Sequence, residues 1–288
     1  EVLDRSIPEI ELPEPTIRRL TRSQYNNALQ DLFGNEIVLP SSLEPDETTD
    51  GLLAIGASLT TISPRGVEQY ENSAYSVVGQ AIENEATRDE LIHCSPEDIV
   101  DTACAEEVLE SFGERAWRRP LDETELASLV EISGAAALVL EDFYQGLAFG
   151  LSAVLQSPNF LFRTELGEPD PETGEQRFSN YEMASRLSFF LWNTIPDEAL
   201  LLAAASGELT DDEGLGAQVD RMMLDDRFED GLREFFSDML MLHELDDLTK
   251  DPTIFTHMSP EVGPSAREET LLGILDNVLV NDGDYRDV

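Results

Sequence analysis

Few residues in this chain combine types and spacing suited to chemistry. Cys94 and Cys104 stand ten positions apart, with His93 beside the first. Two thiols at that spacing can close a covalent loop worth roughly 2–3 kcal/mol in an oxidising compartment. Two buried free thiols and a metal site are the alternatives, the second short of ligands because no further close pair accompanies them. A disulfide between Cys94 and Cys104 is the expected state. The run His243-Glu244-Leu245-Asp246-Asp247 has the first histidine of a zinc-protease helix. Two imidazoles face one side of such a helix only from the first and fifth positions, and the fifth here is Asp247. Three histidines in the whole chain leave no His-rich centre. The acidic turns at 46–50 and 170–175 lack the alternating oxygen ligands and glycine of a calcium loop. No metal is expected.

Other chemistry is sparse. The chain has no C-x-x-C-H, Walker loop or G-x-G-x-x-G, and Gly150-Leu151-Ser152 lacks the second glycine of a nucleophile elbow. No catalytic residue is assigned and no cofactor is expected. Arg186 lies in the most apolar helix and needs a carboxylate partner, for which Glu182, one turn earlier, is the candidate. Arg115, Arg118 and Arg119 have Asp122, Glu123 and Glu125 just beyond them. Met222, Met223, Met239 and Met241, close to Phe228, Phe235 and Phe236, fit gap-filling core positions.

The elements that would position these residues are helical. Thr21 and Gln24 form a capping box ahead of Tyr25, Leu29, Leu32 and Phe33, and Gly34 ends that helix. Serine followed by proline marks helix starts at Ser63-Pro64, Ser95-Pro96 and Ser259-Pro260. Asp122 with Glu125 and Ser179 with Glu182 open two more. Tyr144, Leu147, Ala148, Leu151, Val154 and Leu155 repeat with helical spacing. The 180s helix, with Met183, Leu187, Phe189, Phe190, Leu191 and Trp192, is apolar nearly all round and should be central. Residues 35–62 read as loop. The stretch 167–177 is acidic, with two prolines and two glycines, and is the best boundary, with a short hairpin as an option. The fold class is all-α: an irregular multi-helix bundle with a Pro-rich extended arm over residues 1–16, carrying Pro8, Pro13 and Pro15. The modules are 17–90, 91–166 and 175–288, the last read as truncated.

Charge decides the partners. The 288 residues carry 60 acids against 18 bases, a net charge of -42, and Lys250 is the only lysine. Dispersed acid with almost no lysine suits folding in high salt, where the Debye length falls to ~3 Å at 1 M and self-repulsion costs little. An acidic face for a basic partner is the rival, though no acidic block stands out. Nucleic acid is excluded, because phosphate binding needs a basic patch. No apolar run reaches the ~18 residues of a membrane span.

Four strings are more specific than generic helix: RLTRSQYNNALQDLFG (19–34), FGERAWRRPLDETE (112–125), LQSPNFLFRTE (155–165) and YEMASRLSFFLWNTIPDEALL (181–201). In this order they resemble the secreted multi-domain proteins of planctomycetes and marine myxobacteria that carry domains of unknown function 1587, 1595 and 1592. In that family the segment matching 46–51 is usually followed by an aromatic and polar residues, whereas Leu52 and Leu53 stand here. The resemblance implies export, often with a lipid anchor and sometimes an N-terminal haem c module, and no established activity. It also implies continuation past Val288. The expected function is an exported helical scaffold or binding subunit of a cell-surface, redox-linked assembly. A domain of an extracellular polysaccharide-degrading enzyme, completed by further modules, is the alternative. An electron-transfer partner that borrows a haem is a third. Leu271, Leu272, Leu275, Val278 and Leu279 are expected to face the partner, which is either the C-terminal remainder of the same precursor or another subunit.

Overall fold

The computed structural model describes residues 16–59, 61–170, 173–246, 248–251, 253–281 and 283–287. The expected arm over 1–16 lies outside them, except for Thr16, which opens strand β1 (Thr16–Arg19). Helix α1 (Arg22–Phe33) then starts on the capping box: Gln24 N–H donates to Thr21 Oγ1 and Thr21 N–H to Gln24 Oε1. Gly34 stops it at φ 88°, where a side chain would be strained. A short α2 (Leu53–Gly56) lies inside the stretch read as loop. The chain continues with α3 (Pro64–Glu83), capped by Ser63, and α4 (Glu85–Leu91). Next come α5 (Thr102–Trp117), α6 (Glu123–Leu140), α7 (Phe143–Gln156) and α8 (Pro158–Leu161). Packing of α1, α3 and α5 to α8 makes one large core, with Tyr25, Leu109, Leu147, Leu151, Leu155 and Phe160 fully buried. Each such side chain contributes ~1.5–3 kcal/mol by leaving water. Gly146 lets α7 press against α6, since a Cβ there would collide with Ala137.

Strand β2 (Phe162–Glu165) returns beside β1, antiparallel, with Arg18 opposite Arg163 and Thr16 opposite Glu165. A hairpin, β3 (Glu168–Pro169) and β4 (Gln176–Arg177), occupies the suspected boundary. The second half consists of α9 (Asn180–Leu191), α10 (Glu198–Ser206), α11 (Asp212–Met223), α12 (Arg227–Met239) and α13 (Val262–Leu275), which runs into a π-helical turn, Asp276–Val280. Thirteen α-helices among the described residues make the class all-α, and none is long and apolar enough to cross a membrane. This half has two smaller cores, one around Trp192 and one around Phe236.

Several expectations are corrected. Ser95-Pro96 starts no helix. Asp101 caps α5 instead, accepting from the N–H groups of Glu97 and Cys104, so 95–101 is a loop held at both ends. Helix α13 begins at Val262, two residues after Pro260. Of the four methionines only Met222 is fully buried, while Met223 and Met241 are exposed. Helix α9 is central but not enclosed, because Phe190 is 66% exposed. Leu271 and Leu275, expected to meet a partner, are buried within the chain, and Leu271 packs beside Phe236. Val278 is half-buried against the same cluster, and Leu272 and Leu279 are exposed.

Candidate functional site

A cleft of about 710 Å³ opens where the β1/β2 ribbon, α2, α9 and α12 meet. One wall is basic, for a reason legible in the strand register. Side chains two apart on a strand share a face, and residues paired across an antiparallel ladder share it too. Arg18, Arg163 and Glu165 therefore stand together on one side of the ribbon. Helix α9 adds Arg186 from outside the ribbon. Glu165, 4% exposed, receives Arg186 Nη1 at 2.7 Å and Arg163 Nη2 at 3.3 Å, with Arg18 Nε 3.6 Å away. Three guanidinium groups share one carboxylate, which leaves two positive charges in excess on this wall. Burial pulls the Arg163 guanidinium down to about 10, and nearby Arg18 and Arg186 act in the same direction against Glu165. It stays charged at neutral pH. Arg163 also lies over the Phe189 ring and Arg186 over Phe178, which shelters both cations.

Arg19, also lining the cleft, is neutralised. It donates to Glu44, to Asp46 and to the Pro45 carbonyl, and its Nε is buried with no hydrogen-bond partner.

The opposite wall is α12, presenting Gly231, Glu234, Phe235, Asp238 and Met239 along one stripe. Gly231 allows α12 to close on α9, since a Cβ there would meet the Leu191 carbonyl. Asp238 is committed: its two oxygens accept from Leu53 N–H at 2.6 Å and Ala54 N–H at 3.1 Å, holding the start of α2. Burial raises the Glu234 carboxyl above its ordinary range; Arg267 opposes this, and Asp238 and Asp46 reinforce it. The remaining surface is mostly apolar, from Leu52, Leu53, Met183, Leu187, Phe189 and Phe190, with Thr21, Gln24 and Asn193 also lining it. Leu52 and Leu53 thus line the cleft.

The end of α9 is fastened to α1. Asn193, at φ 56°, donates to Ser23 Oγ at 2.7 Å and accepts at its carbonyl from Asn27, while Thr194 Oγ1 donates to Asp31 at 2.6 Å. Asparagine tolerates this left-handed backbone better than most residues.

The sequence-predicted residues fall elsewhere. Cys94 and Cys104 form the expected disulfide, Cα atoms 5.6 Å apart, in the first half. Glu182 is not the partner of Arg186. Its carboxylate accepts from the N–H groups of Leu166, Gly167 and Ser179, which fills it, and Glu165 takes the arginine. Arg119 pairs with Glu125, but Arg115 donates to the Asp31 carbonyl. Arg118 is buried on the carbonyls of Ala116, Asn159, Phe160 and Phe162 rather than on an acid. Asp246 is held by Arg267 at 2.8 Å, and Asp247 lies outside the described residues. Met239 and Phe235, read as core, line the cleft. Arg18, Arg163, Glu165 and Glu234 carry no motif of their own in the sequence. The alternation Arg163-Thr164-Glu165 was the available signal, and it becomes informative only once the segment is known to be a strand.

Comparison with known proteins gives three family matches in sequence order: protein of unknown function (DUF1587) over residues 18–83, (DUF1595) over 104–165 and (DUF1592) over 178–288. No curated protein and no solved structure matches the chain. Each matched region contributes to the basic wall: Arg18 from the first, Arg163 and Glu165 from the second, Arg186 from the third. The chain accordingly belongs to the proteins of unknown function that join DUF1587, DUF1595 and DUF1592 in this order.

Proposed function

We propose that this chain is a ligand-binding subunit of an exported assembly, and that the three-module cleft is its binding site. The carrying observation is the excess of guanidinium over carboxylate on one wall of a cavity in a chain of net charge -42. Charge that runs against the whole surface, held beside apolar side chains, suits recognition of a small molecule. The cavity is of the size that encloses one. The disulfide supports export, since such bonds persist in oxidising compartments. Exposed Leu272, Leu279 and Val280 support a protein neighbour, the C-terminal remainder of the precursor or another subunit. Salt-adapted folding belongs to the same proposal and is supported by the acid excess. The melting temperature should rise between low salt and molar NaCl, and a flat or falling trend would remove it.

The polysaccharide-hydrolase alternative is weaker. It requires two free carboxyl groups across the cleft, and Asp238 is occupied by backbone N–H groups. A fragment screen by ligand-observed NMR tests the binding role. Fragments bound by the wild type should be released in Ala54→Trp, which fills the mouth from an exposed position on α2. A screen in which no fragment distinguishes the two proteins would overturn it.

A further inference from the structure

We propose that the cleft takes an organic monocarboxylate with an apolar body, its head group on Arg163, Arg186 and Arg18 and its chain along Leu187, Phe190 and Phe235. This rests on the cleft being a ligand site. The head group follows from donors already in place. Arg186 and Arg163 each give Glu165 a single nitrogen, which leaves further N–H donors on both forks. Arg18 Nε is buried without a hydrogen bond. A guanidinium fork matches a carboxylate in plane and spacing, and the single-nitrogen contacts to Glu165 leave such forks incomplete. The excess of two cations favours one added anion at this wall.

The opposite wall limits the ligand to a single charge. Glu234 and Asp238 face the arginines from α12, so a second anionic group reaching across would meet carboxyl groups rather than cations. The acidic exterior disfavours polyanions in the same direction. Between the two walls the surface is apolar, with Phe190 66% and Phe235 46% exposed on opposing helices. Aromatic rings left open at a cleft mouth gain most when an apolar chain covers them. Each methylene of such a chain adds affinity by leaving water, so an eight-carbon acid suffices for measurable binding.

The test is calorimetric titration of the full chain in 0.5 M NaCl with octanoate, 1-octanol and inorganic phosphate. Octanoate is expected to bind, with at least tenfold weaker binding in Arg186→Gln and several-fold weaker in Phe190→Ala. Phe190 is exposed, so its variant should melt with the wild type and remain informative if the arginine variant misfolds. Phosphate should neither bind nor compete. Octanol binding as well as octanoate, or phosphate displacing octanoate, would overturn the monocarboxylate while leaving a ligand cleft. Absence of any binding by the three probes, together with a fragment screen that finds nothing in the cleft, would overturn both.

Discussion

Each half of the molecule buries one tryptophan, and the surroundings differ. Trp117 donates its indole N–H to the Val154 carbonyl at 3.0 Å and closes the edge of a core that runs unbroken through six helices. Trp192 makes the equivalent bond to the Met222 carbonyl at 2.9 Å, within a cluster of eight buried residues, three of them alanines. Its ring carries Arg227 at 3.6 Å and Arg221 at 5.4 Å, and both arginines hold Asp197. The first half is held by apolar area. Arg119 also lies over Trp117, at 5.7 Å, but the second half surrounds its smaller core with two arginines on one ring that share Asp197. The cleft forms where the half with the smaller cores meets the half with the large one.

That contrast is best broken by core truncation. Leu109→Ala in the large core should cost about 4–5 kcal/mol, whereas Leu200→Ala beside Trp192 should cost about 2–3 kcal/mol, by urea unfolding. Equal losses would show that the two cores are equally tight. Arginine truncation should follow the same order. Arg118→Ala should cost about 3 kcal/mol, because it strips four buried carbonyls of a charged donor at once. Arg227→Ala should cost about 1 kcal/mol, its ion pairs being partly screened by solvent. A larger effect at Arg227 would mean that charge carries more of the second half than its geometry suggests. Replacing Cys94 and Cys104 by serine should cost about 2–3 kcal/mol, set by the short loop they close, and should leave the Trp192 region untouched by hydrogen exchange.

The smallest effect concerns pH. Glu234 faces Asp46, Asp238 and Arg267, and burial raises its folded-state value above the ordinary one. The native state therefore holds the proton more tightly than the unfolded chain, and stability falls as pH rises from the ordinary glutamate value through the raised one. Below that window the group contributes nothing. Glu234→Gln should be more stable than wild type above the window and equal to it below, by thermal melts across acid to neutral pH. A constant difference at all pH values would remove the buried carboxyl from consideration.

Much of the fold was legible in the residues. Capping boxes at Thr21, Asp122 and Ser179, the apolar spacing of 144–155 and the Cys94–Cys104 interval act locally, so their outcome is written within a turn or a short loop. The three modules were legible as strings. The cleft was not. Its basic wall depends on β1 meeting β2 across more than 140 positions, on the register that sets Arg18 opposite Arg163, and on α9 choosing Glu165 over the nearer Glu182. The last choice was decided by hydrogen-bond supply: Glu182 was already filled by three backbone N–H groups. Whether Leu271 and Ile274 face inward was likewise a tertiary matter, because Phe236 of α12 packs in one cluster with them. Sequence alone determined helices, caps, charge and the disulfide, all short-range or compositional. Tertiary structure decided which arginines share an acid and which apolar face stays open, because those depend on partners distant in the chain.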